Sequence, residues 1–307
     1  MNKTLIILLF ISSIIFSQST YNFLRVDNSP RAAALAGSVV ASNDDVNSVF
    51  YNPAGINLLK ATPVSFSFLK HLEGINSFSL AASRNFNNWG RFSAGIQFVD
   101  YGNFTKADQF GNKLGEFGAS DFALTLGYGN SLDKNFYYGV NLRFIYSGID
   151  NYNSTAISTD IGLLYDLPEY LWSFGFSVLN LGTQLSTYAG TKENLPLDVR
   201  LGFAKRLAHV PLKFFFSFIH LADNFTSFSE RLKQWVFGAE LKISGVVTLR
   251  FGYDNNKRDE MNLGTKKGLS GFNFGFGVNV KGYQIDYAFS SFGPAGNLHR
   301  FGLSTRF

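Results

Sequence analysis

The chain has no cysteine among its 307 residues, only two methionines, and charged side chains at just 16% of positions. Without cysteine there is no disulfide framework, no thiolate metal site and no lipidated N-terminal Cys. The few charges sum to +5 and are spread along the chain, so there is no basic footprint for nucleic acid. Beyond residue 17 no apolar run approaches the ~18 residues that a membrane-crossing helix requires. The four histidines, His71, His209, His220 and His299, lack metal-ligand spacing. "GTKKGLSG" (264–271) departs from the order of a phosphate-binding loop. The expectation is a non-enzymatic protein without a cofactor.

What is abundant is phenylalanine, at 34 residues beside 14 tyrosines. A soluble core must interdigitate such rings at close packing density, whereas a lipid-facing surface need not. The opening "MNKTLIILLFISSIIFS" has a cation at Lys3, an apolar run from Leu5 to Phe16 and small residues after it. That pattern predicts a signal peptide over 1–17. A secreted chain without a spanning helix is either a soluble β protein or a closed barrel, the strand architecture that satisfies its backbone in lipid.

Period-two alternation chooses between them. "VSFSF" sets Val64, Phe66 and Phe68 against Ser65 and Ser67, and "FALTLGY" sets Phe122, Leu124, Leu126 and Tyr128 against Thr125 and Gly127. "WSFGFSV" sets Trp172, Phe174, Phe176 and Val178 against Ser173, Gly175 and Ser177, and "GFNFGFGVNV" repeats the pattern from Phe272 to Val280. About fourteen such segments follow one another, starting near Thr62, Ile75, Arg91, Ser120, Asn135, Thr155, Leu171, Leu195, Pro211, Lys233, Val246, Gly271, Tyr283 and Asn297. Tight turns (87–90, 167–169, 208–210, 244–245, 281–282) alternate with long polar loops expected at 101–118, 147–154, 183–194, 222–232 and 254–270. The prediction is an all-β transmembrane outer-membrane β-barrel of about fourteen antiparallel strands over 61–307. Its short turns, and with them the N- and C-termini, are expected in the periplasm. The final "HRFGLSTRF" alternates and ends on an aromatic residue, resembling the C-terminal assembly signal of such barrels.

Residues 18–60 do not alternate. Ser29 before Pro30 reads as a helix N-cap with proline at the first helical position, and Gly37 as its stop. "SNDDVNSVFYNPAG" is turn-rich. This segment is expected to fold back into the barrel as a plug. Strand parity turns Arg143, Asp160, Asp198, Arg200, Glu240, Lys242, Arg250, Asp286, Arg300 and Arg306 inward. Mixed signs on one face suit a lumen braced by ion pairs better than a permeation route. Arg31, Asp44 and Asp45 are their expected partners on the plug.

"RAAALAG" and "ASNDDVNSVFYNPAGINLL" resemble the N-terminal plug pattern of the FadL-like long-chain fatty-acid transporter barrels, with Asn52, Pro53 and Ala54 at its motif. "YNFLRVDNSPRAAALAG", "DDVNSVFYNPA" and "LPLDVRLGFAKRLAHVPLKF" (195–214) are similar to the PorV/PorQ branch of that superfamily, which serves type IX secretion. The resemblance implies a plugged barrel of fourteen strands, set in outer-membrane lipid, that assists secretion or surface attachment of cargo proteins. PorU, PorV and PorZ would be its partners. Gly55-Ile56 after "NPA" is closer to the general transporter pattern, which implies instead a lumen carrying a small hydrophobic molecule.

Overall fold

The computed structural model describes residues 21–261, 268–293 and 296–306. The signal peptide expected over 1–17 and the terminal Phe307 lie outside the described residues.

The strands are β1 (Pro63–Lys70), β2 (Asn76–Asn85), β3 (Arg91–Ala107), β4 (Lys113–Asp133), β5 (Phe136–Ile149), β6 (Tyr152–Leu167) and β7 (Trp172–Ser186). They continue as β8 (Asp198–Arg206), β9 (Leu212–Phe218), β10 (Trp235–Lys242), β11 (Val247–Asp254), β12 (Phe272–Val280), β13 (Tyr283–Ser291) and β14 (Asn297–Arg306). Each is antiparallel to its neighbours in sequence, and β14 closes the ring on β1, with Pro63 opposite Arg306 and Lys70 opposite His299. Closure leaves no sheet edge unpaired, which is what a hydrocarbon environment demands of strands.

The alternation becomes two surfaces. In β1, Ser65 and Ser67 are buried inside the ring while Phe66 stands 46% exposed outside it. Leu80, Phe92, Leu126, Leu142, Phe174, Phe276 and Leu303 continue this apolar belt around the barrel. Neighbouring rings meet across strands, as in Phe203–Phe216 at 5.6 Å, Phe216–Trp235 at 6.0 Å and Trp235–Tyr253 at 5.4 Å. A continuous apolar belt on a closed barrel is an outer-membrane architecture.

The two ends differ. One carries only short turns; the other carries the connections 187–197, 219–234 and 255–271. Short helices α2 (Phe228–Leu232) and α3 (Asn255–Glu260), N-capped by Ser227 and Asp254, lie in the last two. Two expected loops are strand instead. β3 and β4 run for 17 and 21 residues, so 101–118 is mostly a hairpin rising past the rim. The expected loop 147–154 is a paired hairpin with Ile149 opposite Tyr152. Beyond the bilayer a strand needs no apolar face, so its polar sequence reads as loop.

The segment before β1 lies inside the ring and is buried over most of its length. Its helix α1 (Pro30–Ala34) is capped by the Ser29 hydroxyl, which accepts from Ala32 N. The left-handed residue that ends it is Ala36, at φ 54°, one position before the expected stop. Gly37, also left-handed at φ 74°, closes the turn by donating 2.8 Å to Ala32 O. Two 3-10 turns follow, Val46–Phe50 capped by Asp45 and Pro53–Leu58 capped by Asn52. The Tyr21 hydroxyl sits 2.5 Å from Ser154 Oγ near the long-loop end, whereas Asn57 Nδ2 donates 2.9 Å to Tyr138 O near the short-turn end. The described chain therefore starts at the long-loop end, opposite Arg306, and not beside it as expected. A segment that fills the lumen and must reach the foot of β1 has to run down the lumen.

Candidate functional site: the filled lumen

Arg31 is the hub of the plug. Its Nη1 lies 2.8 Å from Asp44 Oδ1 and 3.5 Å from Asp45 Oδ2, and its Nε lies 2.9 Å from Glu240 Oε2. Glu240 also accepts from Arg250 Nε at 2.9 Å, and Arg250 Nη1 reaches Asp286 Oδ1 at 2.5 Å. One relay of alternating sign thus ties the plug to β10, β11 and β13. Burial alone would push the Asp44 carboxyl up, but Arg31 and Lys213 hold it well below the usual carboxylate range. Burial likewise opposes the Arg31 charge, yet Asp44 and Glu240 raise its pKa well above the ordinary value. Each charge is buried only because its partners are present.

The other parity-selected charges divide into groups. Arg300 donates 2.6 Å to the Asp27 carbonyl and 2.9 Å to Ser290, gripping the chain just before α1. Arg200 pairs with Asp198 at 2.7 Å on its own strand, and its guanidinium lies 5.8 Å from the Tyr51 ring. Arg143 pairs with Asp160 at 2.8 Å and donates to Thr125 and Asn180, entirely within the wall. Lys242 departs from the expected lumen set: it is exposed at the short-turn end of β10, where the strand leaves the barrel. Arg306 lies on β14, and its side chain falls outside the described residues.

Asn52 carries the neutral side of the interface. Its amide donates 2.7 Å to Val40 O and 3.0 Å to Leu163 O on β6, while its Oδ1 accepts from Ala54 N at 3.1 Å. Pro53 and Ala54 then press their backbone onto glycines of the wall. A Cβ on Gly139 would lie 2.3 Å from the Pro53 carbonyl carbon, and one on Gly175 would lie 2.2 Å from Val40 O. Gly252 is equally confined, 2.5 Å from Ala36 N. The inward glycines that break the apolar pattern are therefore a bed for the plug backbone.

Sequence reasoning missed several contacts. Arg25 pairs with Asp223 at 2.5 Å and donates 2.7 Å to Leu197 O, linking the top of the plug to two loops. Lys213, buried on β9, lies 3.4 Å from Asp44. Arg91 donates 2.6 Å to Leu59 O where the plug passes into β1. The inward parity of Lys213 in "KFFFSF" was a usable signal; Arg25 and Asp223 carry none, because both lie in irregular chain. Among the described residues no group of His, Asp or Glu side chains could hold a metal ion.

No protein-family model and no curated protein matches this sequence. Solved structures do. The toluene transporter TbuX of Ralstonia pickettii superposes with a TM-score of 0.61 at 12% identity, over 91% of this chain and 98% of that one. The CymD monoaromatic hydrocarbon channel gives 0.58 at 11% identity, over 92% and 98%. A Pseudomonas aeruginosa FadL homologue gives 0.55 at 10% identity, over 90% and 97%. Such coverage exceeds the share taken by the strands and their connections, so it reaches into the plug. The fold is that of the FadL-like outer-membrane barrels, and at these identities the correspondence is one of fold.

Proposed function

We propose that this chain is an outer-membrane passage protein for small hydrophobic molecules. One observation carries the reading: a closed barrel of fourteen strands is filled by its own N-terminal segment, and its overlap with toluene and monoaromatic hydrocarbon channels extends into that segment. The long loops are assigned to the outer face and the short turns to the periplasm, as in outer-membrane barrels generally. A single cysteine at Asn112 should then be labelled from outside intact cells, and one at Ala208 should not.

Passage requires the plug to shift, which gives the test. Ala33, Ala34 and Ala288 share one apolar contact between plug and wall. An Ala34→Cys/Ala288→Cys pair in this cysteine-free chain should cross-link the two. Liposomes holding the reduced protein should take up toluene faster than empty ones, and oxidation should stop the uptake. Equal uptake by reduced, oxidised and empty vesicles sinks the reading.

A second reading rests on the resemblance of 195–214 and of the plug to the PorV/PorQ branch. In it the barrel is a type IX secretion component that binds PorU, PorV, PorZ or secreted cargo, and the filled lumen is structural. The densely ion-paired plug favours it. Shortening 256–268 to a tight turn should then reduce recovery of those partners and leave toluene uptake unchanged. Retained partners with altered uptake decide for passage.

A further inference from the structure

The plug leaves a gap at the short-turn end. A cavity of about 440 Å³ opens there between the β8–β9 turn and β10, floored by Asp44 of the plug. An adjoining cavity of about 130 Å³ shares Arg206 and Lys213 with it and is floored by Asn43. Into this cleft come Arg206, Lys213 and Lys242, with His209 at the rim. Three carboxylates line the two cavities, and all are already engaged. Asp166, in the smaller one, accepts from Asn43 at 2.8 Å and Ser173 at 2.5 Å. Asp44 is held by Arg31 at 2.8 Å, and Glu240 by Arg31 and Arg250, each at 2.9 Å.

The cations are not balanced in the same way. Among the described residues no carboxylate pairs with the side chain of Arg206 or Lys242. Lys213 retains only 8% of its surface, yet its ammonium has long contacts of 3.4 Å to Asn43 and Asp44 and lies 4.9 Å from the Phe215 ring. An ammonium that is buried and weakly coordinated favours an added anion. The opposite wall is apolar, formed by Leu207, Val210, Pro211 and Leu212. A cleft with cations on one wall and aliphatic surface on the other matches a molecule with both an oxyanion and an apolar body.

We propose that this cleft is a binding site for small amphiphilic anions, with a carboxylate or phosphate oxygen on Lys213, Arg206 and Lys242 and the apolar part against the β8–β9 turn. The site differs from the passage reading and does not depend on it, because its ligand reaches it from the short-turn side. A free carboxylate and an anionic phospholipid of the adjoining leaflet share the required chemistry.

The test uses the full mature chain with one cysteine, Ala208→Cys at the rim, carrying an environment-sensitive dye. Octanoate should change the dye signal saturably, and the neutral octanol should bind at least tenfold more weakly. Arg206→Gln/Lys242→Gln alters exposed side chains, so the barrel should fold, as heat-dependent gel mobility would verify, while octanoate affinity falls at least tenfold. Short-chain phosphatidylglycerol competing better than octanoate assigns the site to lipid; the reverse assigns it to a free carboxylate. Equal binding of octanoate and octanol, or full octanoate binding by the double variant, overturns the proposal. Inorganic phosphate binding as tightly as octanoate overturns the amphiphile assignment. Binding in micelles is measured without transport, so failed toluene uptake with intact octanoate binding counts against passage alone.

Discussion

The plug has two halves that are held by different physics. In its first half, through Asp44, Tyr21, Phe23 and Leu24 pack against β3–β6, and Asn43 reaches β6 and β7. Its helix α1, however, lies against β11–β14, and the half is fastened mainly by charges: Arg25 to Asp223, Arg31 to Glu240, Lys213 to Asp44 and Arg300 to the Asp27 carbonyl. Its second half, from Val46, lies against β1–β7 and is fastened mainly by neutral groups. Asn47 donates to Ser65 at 3.1 Å, Asn52 to Leu163 O at 3.0 Å and Asn57 to Tyr138 O at 2.9 Å, while Asn141 and Ser177 of the wall bond the carbonyls of Val49 and Tyr51. Charged contacts are strong only as a complete set, because each lost partner strands a buried ion. Neutral contacts over glycine depend instead on backbone fit, so they fail locally. The charged contacts are therefore expected to fail as a set, and the neutral ones one at a time.

Arg31→Met should produce the largest effect. It leaves the buried Glu240 and the part-exposed Asp44 without their shared partner. Breaking a buried pair costs about 3–5 kcal/mol, and the exposure of Asp44 sets this case toward the lower end. Protease should then cut within 30–44 while the barrel keeps its heat-dependent gel mobility. Adding Glu240→Met should restore part of the loss, a coupling that a double-mutant cycle reads directly. Additive effects of the two substitutions would mean that the relay is not a unit.

Gly139→Val tests the other half. The new side chain would overlap the Pro53 backbone, and overpacking of this kind costs about 1–3 kcal/mol. Cleavage should begin within 46–60, leaving 30–44 protected. If instead both halves become protease-sensitive together, the plug is one cooperative body and the comparison fails. Asn52→Ala should follow the same pattern, at about 1–3 kcal/mol for the acceptors at Val40 and Leu163 left unmet.

Much of this was readable from the sequence, and the limits have physical causes. Period-two alternation located the strands because lipid on one side and plug on the other impose opposite chemistry on successive residues. It failed at 101–118 and 147–154, where strands continue beyond the bilayer and the strict apolar alternation breaks down. Parity also turned Arg143, Glu240 and Arg250 inward, since an ion cannot sit in the lipid belt. Parity could not say which inward charge meets which. Arg31 with Glu240 is decided by how α1 lies over β11–β14, from where the Arg31 side chain reaches β10, and Arg143 with Asp160 by pairing between β5 and β6. The descent of the plug from the long-loop end was hidden as well, because irregular chain carries no periodicity from which direction can be read.

The least direct effect expected is a pH dependence at the top of the charged half. His71, in the turn between β1 and β2, hydrogen-bonds Ser77 at 2.6 Å. Burial, with the Arg300 charge adding to it, lowers its pKa to about 4. The folded protein therefore keeps His71 neutral, while the unfolded chain takes up a proton near the ordinary value of about 6.5. Stability should be level above pH 6.5, fall as the pH drops from 6.5 toward 4, and level again below that in this contribution. Asp44 does not titrate in the same window, because its carboxyl is held well below the usual range. The readout is the unfolding midpoint of the wild type minus that of His71→Gln across this range. A sloping difference places a protonation beside Arg300, the residue that grips Asp27, and makes the charged half the acid-sensitive one. A flat difference shows that His71 is not kept neutral, and the two halves then respond to mild acid alike.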